Sequence, residues 1–368
     1  MASEIRQHEK PKIIVLGGCG FVGRNLVSYL LSNNLVSAIR VIDKVPPHVA
    51  WLNSKHLEWF SHSLVEFKSA NLINLESCEK AFLTNDGIFV WDYVINCACE
   101  TKSGQTDPVY EEGIFNLSLN CAKFAAKYGA KHYVEISSGN MYSSDKVPHA
   151  EEGPLEPWTF IARWKSRVES EIKNIPNLRF SVLRPAIVYG LGDKNGLTPR
   201  LIIGAVYKQL GETMKLLWNA DLKLNTVHVD DLCKAIWHVC GREDTLNQIY
   251  NVVDDGNTTQ GLISEIVSNL FKISHDYWGN ALSTIVKGDL SNIVEEVNDK
   301  HLAPWAKACR NDHIDNTPLS PYMCEELLYN KNLYLDGRKL KSYGFTVSIP
   351  RLTKVNLAQI ARFCIQPI

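Results

Sequence analysis

Lys12-Ile-Ile-Val-Leu16 runs directly into Gly17-Gly-Cys-Gly20-Phe-Val-Gly23, so an apolar strand leads into a glycine turn and then an apolar helix. Each glycine has a physical reason in this context. Gly17 permits the tight turn, Gly20 lets a diphosphate approach the backbone, and Gly23 lets the helix pack closely on the strand. The order strand, glycine turn, helix therefore predicts a Rossmann-type dinucleotide site.

The predicted cofactor is NAD. The helix begins at Phe21 and Val22, where free N–H groups and a partial positive charge suit phosphate oxygens. Val41-Ile-Asp43 ends the next strand, twenty residues past Gly23. A carboxylate at that place accepts hydrogen bonds from both adenosine ribose hydroxyls and repels a 2′-phosphate. Asp43 therefore favours NAD over NADP, although Lys44 beside it weakens that preference.

Strands and helices alternate through the first half of the chain, which predicts an α/β fold with a doubly wound parallel sheet. We predict strands at Lys12–Leu16, Ala38–Asp43, Val65–Lys68, Tyr93–Ala98, His132–Ser137, Arg179–Arg184 and Gln248–Val253. Helices are predicted at Phe21–Ser32, Leu75–Phe82, Tyr110–Tyr128, Trp158–Asn174, Thr198–Leu210 and Asp230–Cys240. We divide the chain into a cofactor domain, 1–185, and a smaller C-terminal substrate lobe, 186–368, some strands of which can return to the main sheet.

Composition narrows the class of protein. Of the 368 residues, 45% are apolar, which is enough for a large core. The net charge of −1 does not indicate nucleic acid as a partner. The polar N-terminus and the short apolar runs indicate no membrane segment, so we expect a cytoplasmic protein. The ten cysteines form no Cys-x-x-Cys pair, and we expect free thiols and no metal site.

These residues resemble the extended short-chain dehydrogenase/reductase family, and within it the NAD-dependent epimerase/dehydratase group. The resemblance covers residues 12–260 and is closest to a eukaryotic branch without a settled reaction. It rests on the glycine turn and on the motifs Asn71-Leu72, Asn96-Cys-Ala98, Ser137-Ser138-Gly-Asn-Met-Tyr142, Arg184-Pro185-Ala-Ile-Val-Tyr189-Gly190, Val227-His-Val-Asp230-Asp231 and Tyr250-Asn251-Val252.

The resemblance implies a role for several of these residues. Asn71 and Leu72 would lie beside the adenine, and Ala98 and Pro185 would contact the cofactor. Ser138 would supply the catalytic hydroxyl. Many relatives form a homodimer through the helix predicted at Trp158–Asn174, so a homodimer is expected here.

The family's proton-transfer pair is Tyr-x-x-x-Lys on the helix that follows the serine. The lysine holds the nicotinamide ribose and lowers the tyrosine pKa, and the tyrosine moves the proton. Lys165 stands at the lysine position, but Ile161 stands at the tyrosine position. An isoleucine cannot transfer a proton, so the usual acid/base is missing. Ile114, where many relatives carry an asparagine, points to altered chemistry as well.

Three interpretations of this loss remain open. Tyr142, which follows Ser138, could supply the acid, although it could equally be an ordinary buried tyrosine. Glu100, with Lys102 close by, follows the fourth strand at the edge where ligands bind, and partial burial would suit it as a base. Alternatively, the protein binds NAD without catalysis, as a regulator or scaffold.

The substrate is expected to be a small alcohol or ketone. Nucleotide-sugar enzymes of the family place an arginine where Leu224 stands, and Lys223 is a poor replacement for a bidentate fork. The Thr-Asp-Glu triplet of sugar dehydratases is replaced by Ser138-Gly-Asn140. Aromatic side chains crowd both the predicted helix and the C-terminal lobe, which favours a hydrophobic substrate; they include Trp158, Phe160, Trp164, Trp218, Trp278 and Trp305. We therefore predict an NAD-dependent oxidoreductase or epimerase-type enzyme, with a nucleotide-sugar epimerase as the less favoured alternative.

Overall fold

The structure, a computed structural model, describes residues 9–143 and 146–365. Its strands are β1 Lys12–Leu16, β2 Ala38–Asp43, β3 Val65–Ser69, β4 Tyr93–Asn96, β5 His132–Ile136, β6 Phe180–Pro185, β7 Ile187–Tyr189, β8 Met214–Leu216, β9 Thr226–His228, β10 Gln248–Val252 and β11 His275–Tyr277. Its helices are α1 Phe21–Ser32, α2 Ser54–Phe60, α3 Leu75–Phe82, α4 Asp107–Tyr110, α5 Leu117–Lys127, α6 Phe160–Ile172, α7 Thr198–Leu210, α8 Val229–Val239, α9 Gln260–Phe271, α10 Gly279–Val286, α11 Leu290–Asn311, α12 Arg338–Ser342 and α13 Lys354–Ile365.

The main sheet confirms the predicted doubly wound fold. Within the described residues, seven parallel strands lie in the order β10-β6-β5-β4-β1-β2-β3. The chain proceeds from β1 to β3 in one direction and from β4 to β6 in the other. The strand order therefore reverses between β1 and β4, and in open α/β sheets the crevice at the carboxyl ends of such strands is where ligands bind.

Two predicted boundaries near this crevice are wrong by a few residues. β4 ends at Asn96 rather than Ala98, and the fourth helix begins at Asp107 and contains a π-helical turn, Glu111–Asn116. Inside that turn, the Gly113 carbonyl oxygen accepts the N–H of Glu100 at 3.0 Å. A π turn commonly marks a functional position in a helix, and here it joins the helix to the loop that follows β4.

The chain beyond Pro185 contributes to both parts of the molecule. β10 pairs with β6 at the edge of the main sheet, and α8 packs against α1, so part of the second half does return to the first. A separate apolar cluster joins α7, α9 and α13, including Leu201, Ile263, Val267 and Leu357. This cluster is a second apolar core, formed by residues of the second half of the chain. None of the helices in the described residues is both long and apolar enough to cross a bilayer.

Candidate functional site

The glycine turn after β1 holds backbone segments closer together than any side chain would allow. Gly17 has a φ of +70°, and a Cβ atom at this position would lie 2.6 Å from Ala98 Cα in the segment after β4. A Cβ atom on Gly23 would lie 2.4 Å from the Gly17 carbonyl oxygen. The turn, the helix and the end of β4 therefore meet only because these residues are glycines.

The first turn of α1 presents its N–H groups without a competing side chain. Gly20 is the N-cap residue and offers no side chain that could accept from the helix amides, and the first turn contains no acidic residue. Phe21 and Val22, the first residues of the helix, are half-buried against the apolar core. The amides at a helix start have no intrahelical acceptor, so this end of α1 is suited to bind an anion.

Asp43 lies at the carboxyl end of β2, beside the glycine turn. Its Oδ2 atom accepts the N–H of Cys19 and its Oδ1 atom accepts the N–H of Val45, both at 3.0 Å. Burial raises the pKa of Asp43, and the backbone hydrogen bonds from Val45 and Cys19 oppose that rise. Each carboxylate oxygen has a further lone pair, so both can still accept a ribose hydroxyl. Lys44 is exposed.

Asn71 and Leu72 follow β3, the strand next to β2, and Asp43 pairs in register with Ser69. Asn71 is exposed and its Oδ1 atom accepts the N–H of Ile73 at 3.2 Å. Leu72 is buried. Both residues therefore leave the sheet at the same edge as Asp43, where the sequence predicts the adenine.

Arg24 is a residue of this site that the sequence reasoning missed. Its buried guanidinium donates hydrogen bonds to the carbonyl oxygens of Cys19 and Gly20 in the turn, and of Ala50 and Trp51 in the segment after β2. Burial lowers the pKa of Arg24 to about 10. The side chain thus ties the glycine turn to the chain beyond Asp43. A charged residue in an otherwise apolar helix face was the available signal.

Ser138 lies at the carboxyl end of β5 and is partly exposed. Its Oγ atom accepts the N–H of Asn140 at 3.2 Å. The next residue, Gly139, donates its N–H to the Pro185 carbonyl oxygen at 2.8 Å, and a Cβ atom on Gly139 would lie 2.6 Å from that oxygen. The structure therefore brings Ser138 and Pro185 together at the ends of neighbouring strands.

Lys165 is enclosed in a polar cluster beneath this edge. Its Nζ atom donates to Glu135 Oε1 at 2.8 Å, and the two side chains are 3% and 0% exposed. Ser118 Oγ donates to the same oxygen at 3.0 Å, while Asn96 Nδ2 and Tyr133 Oη donate to Oε2 at 2.8 and 2.6 Å. Glu135 was not predicted, although a glutamate inside an apolar strand was a visible signal.

Ile161 occupies the first turn of α6, which begins after the N-cap Thr159, whose side chain accepts the N–H of Ala162 at 3.1 Å. The isoleucine is half-buried and packs against the apolar cluster around β4 and β5. Because Ile161 and Lys165 are four residues apart in the helix, they share a face. An alkyl group therefore stands where the family resemblance places a phenol.

Glu100 follows β4, and β4 is the parallel neighbour of β5, so Glu100 and Ser138 leave the sheet at the same edge. Glu100 is partly exposed, and its Oε1 atom accepts the N–H of Lys102 at 2.8 Å. A Cβ atom on Gly113 would lie 2.8 Å from the Glu100 Cβ atom, so the π turn packs directly on this residue. Its second carboxylate oxygen makes no such bond to Lys102.

Tyr142 is buried, and its hydroxyl is enclosed by side chains of β6 and β10. Its hydroxyl donates to Asn251 Oδ1 at 2.8 Å in β10 and accepts from Arg184 Nη1 at 2.6 Å in β6. Burial raises the pKa of Tyr142 to about 12. Arg184 also binds Glu169 of α6 through Nε at 3.0 Å and Nη2 at 2.5 Å. These contacts favour the structural interpretation of Tyr142 over the catalytic one.

The aromatic side chains singled out in the sequence mostly pack within the protein. Phe160 stacks on Tyr110 with ring centroids 5.9 Å apart, and Trp164 donates its indole N–H to Asp107 Oδ1 at 3.3 Å. Trp218 donates its indole N–H to a backbone carbonyl at 2.7 Å. Packing accounts for these residues without a bound substrate.

Before β9, Leu224 stands where nucleotide-sugar enzymes of the family are expected to carry an arginine. Leu224 is half-buried and forms an isolated bridge with Leu333. The Lys223 ammonium lies 5.2 Å from the centroid of the Tyr334 ring. Among the described residues, no group of three His, Cys, Asp or Glu side chains is placed to hold a metal ion.

Comparisons with known proteins agree with this geometry. A family model described as the NAD dependent epimerase/dehydratase family matches residues 13–252. A bifunctional UDP-glucose 4-epimerase and UDP-xylose 4-epimerase from Pisum sativum is 27% identical over 184 residues, which are 47% of this chain and 51% of that protein. The chain thus spans about half the length of the curated relative that it matches.

Solved structures resemble nearly the whole chain. UDP-glucose 4-epimerase from Thermus thermophilus, in complex with NAD, has a TM-score of 0.66 at 19% identity and covers 97% of this chain and 100% of its own. dTDP-glucose 4,6-dehydratase from Bacillus anthracis, in complex with NAD, has a TM-score of 0.67 at 17% identity and covers 96% of both chains. At these identities the likeness shows the fold.

Proposed function

Because the chain belongs to the NAD-dependent epimerase/dehydratase family, we propose that it uses NAD to oxidise or reduce an alcohol or ketone carbon of a small organic substrate. The family confirms NAD as the predicted cofactor. Catalytic activity is supported by the position of Ser138, whose partly exposed hydroxyl lies at the same sheet edge as the glycine turn.

The residues at this edge fit the cofactor. A diphosphate fits the glycine turn, which an added Cβ atom would fill, and the start of α1, whose amides are uncapped. A ribose diol fits the Asp43 carboxylate. We propose that the cofactor contacts Gly17, Gly20, Phe21, Val22, Gly23, Asp43, Asn71, Leu72, Ala98, Lys165 and Pro185. When bound, NAD supplies a hydride acceptor and donor.

Ser138 and Glu100 have separate roles toward the substrate: Ser138 positions it, and Glu100 transfers the proton. Ser138 donates a hydrogen bond to the substrate oxygen. In the oxidative direction, the Glu100 carboxylate accepts the hydroxyl proton as the carbon loses a hydride, and it returns the proton in the reductive direction. The half-buried Leu224 supports a substrate without a diphosphate at that place.

A second candidate function is a non-catalytic NAD-binding regulator. Ile161 cannot transfer a proton, and Lys165 is paired with the buried Glu135 instead of standing free. Both observations favour a protein that retains the proposed cofactor site but lacks the family's proton-transfer pair. The homodimer and the cytoplasmic location expected from the sequence stay predictions.

Replacing Asp43 by asparagine is expected to raise the affinity for NADP relative to NAD by tenfold or more. The amide keeps the size of the side chain but removes its charge and one acceptor, so a 2′-phosphate is no longer repelled and the ribose diol is held less well. Isothermal calorimetry with both dinucleotides measures the ratio. The exposed Asp86→Asn, which removes a charge elsewhere, should leave the ratio unchanged; an unchanged ratio in Asp43→Asn itself would contradict the assignment.

Ser138→Ala and Glu100→Gln are each expected to lower kcat by roughly a hundredfold, the usual scale for a lost acid/base or its hydrogen-bonding partner. The assay mixes NAD-loaded protein with a panel of small alcohols and UDP-glucose and follows the fluorescence of reduced nicotinamide. The matched control is Glu111→Gln, an exposed acid on the nearby π turn. Wild-type protein that binds NAD calorimetrically but reduces it with no member of the panel would favour the regulator.

A further inference from the structure

The carboxylate of Glu135 is enclosed by donors on both of its oxygens. Within the described residues it accepts hydrogen bonds from Lys165, Ser118, Asn96 and Tyr133, at distances between 2.6 and 3.0 Å. The contact between Glu135 and the Lys165 ammonium is a buried ion pair. Glu135 therefore places a carboxylate directly beside the charge of Lys165.

In the part of the chain that the structure describes, the cysteine and tyrosine side chains that face this pair are neutral. Burial raises the pKa of Cys97 to about 12, and it raises the pKa of Cys99 and of Cys121 as well. Burial also raises the pKa of Tyr133 well above its usual value. Lys165 and Glu135 are thus the two charges of the cluster, and their sum is zero.

This balance matters because the two forms of NAD differ in charge at the nicotinamide. The oxidised ring is positive and the reduced ring is neutral, so an unpaired ammonium nearby would disfavour the oxidised form. Ile161, on the same helix face, offers no ionisable group that could offset the ammonium. A buried carboxylate in direct contact with Lys165 does.

We propose that Glu135 is a positioning residue that neutralises Lys165 and thereby preserves the affinity of the site for oxidised NAD relative to reduced NAD. The proposal rests on the proposed function, in which Lys165 contacts the nicotinamide ribose. Glu135 acts through Lys165 and does not itself touch the cofactor.

Glu135→Gln tests the proposal, because the amide keeps the shape of the side chain and removes its charge. We expect the ratio of the Kd for oxidised NAD to the Kd for reduced NAD to rise about tenfold, the scale of one unscreened charge at several ångströms in a partly buried site. Calorimetry for the oxidised form and fluorescence titration for the reduced form give the two constants.

Two further variants separate charge from structure. Ser118→Ala removes one donor to Glu135 without changing the net charge, so the ratio should stay at the wild-type value even if the melting temperature falls. The double variant Glu135→Gln/Lys165→Met removes both charges. Because Lys165 is a proposed ribose contact, both Kd values should rise, but their ratio should return to the wild-type value. Since the double variant buries no unpaired charge, it also provides a folded comparison if Glu135→Gln is unstable; the proposal then requires its ratio to match the wild type.

The outcomes distinguish this proposal from the proposed function. A folded Glu135→Gln protein with an unchanged ratio overturns the role of Glu135 while leaving NAD binding intact. A double variant whose ratio departs from the wild type overturns it too. Wild-type protein that binds neither form of NAD would instead contradict the cofactor assignment itself.

Discussion

Gly23→Ala is expected to lower the affinity for NAD by at least a hundredfold, about 2.7 kcal/mol in binding free energy. The added methyl group would lie 2.4 Å from the Gly17 carbonyl oxygen and 2.5 Å from Gly18 Cα. Both contacts are with backbone, which cannot rotate away as a side chain could. The start of α1 must therefore shift from the turn, and its amides no longer converge at the proposed diphosphate site.

Gly288→Ala is the matched control for this change. No atom lies within 4 Å of a Cβ built on Gly288, so the same methyl group meets open space. Calorimetric titration with NAD and thermal unfolding should give wild-type values for this variant. If Gly23→Ala also binds NAD with wild-type affinity, the glycine turn is not the cofactor site.

Arg184→Met is expected to lower the free energy of unfolding by about 3–5 kcal/mol. Arg184 and Glu169 are 2% and 3% exposed, so removal of the guanidinium leaves a buried carboxylate without its cation. The Tyr142 hydroxyl and the Glu151 carbonyl oxygen lose a donor at the same time. Urea unfolding monitored by tryptophan fluorescence measures the change.

Arg179→Met provides the comparison for that loss. Arg179 pairs with Glu243 at the surface, where the side chains are 47% and 80% exposed, and such a pair contributes at most about 1 kcal/mol. The double variant Arg184→Met/Glu169→Leu should recover much of the stability, because it leaves no unpaired charge. The buried-pair interpretation fails if Arg184→Met costs no more than Arg179→Met.

The parts of the fold that were predictable depend on local pattern. The bounds of β1, α1, β2, α3 and α7 were predicted to the residue, because apolar periodicity and the glycine turn define them without help from distant segments. The end of β4 and the start of the next helix were misplaced. There, a hydrogen bond between Glu100 and Gly113 determines the local geometry, and the apolar periodicity of the sequence does not reveal it.

The candidate site divides in the same way. Gly17 and Gly23 are required by local backbone geometry, and Asp43 is defined by its position at the end of β2, so the sequence motif identifies all three. Arg24 and Glu135 act through partners far along the chain, such as Trp51 and Lys165, and no spacing rule connects those residues. The sequence offered Tyr142 as a candidate acid but could not show that β6 and β10 enclose its hydroxyl.

The return of β10 to the sheet bears on how the protein matures during translation. One edge of β6 stays unpaired until the ribosome has released the chain through Val252, and α1 lacks its α8 neighbour until the chain through Val239 has emerged. An unpaired strand edge is a site where nascent chains pair wrongly with one another. The main sheet is thus completed late, and its assembly depends on contacts between segments that are synthesised far apart in time.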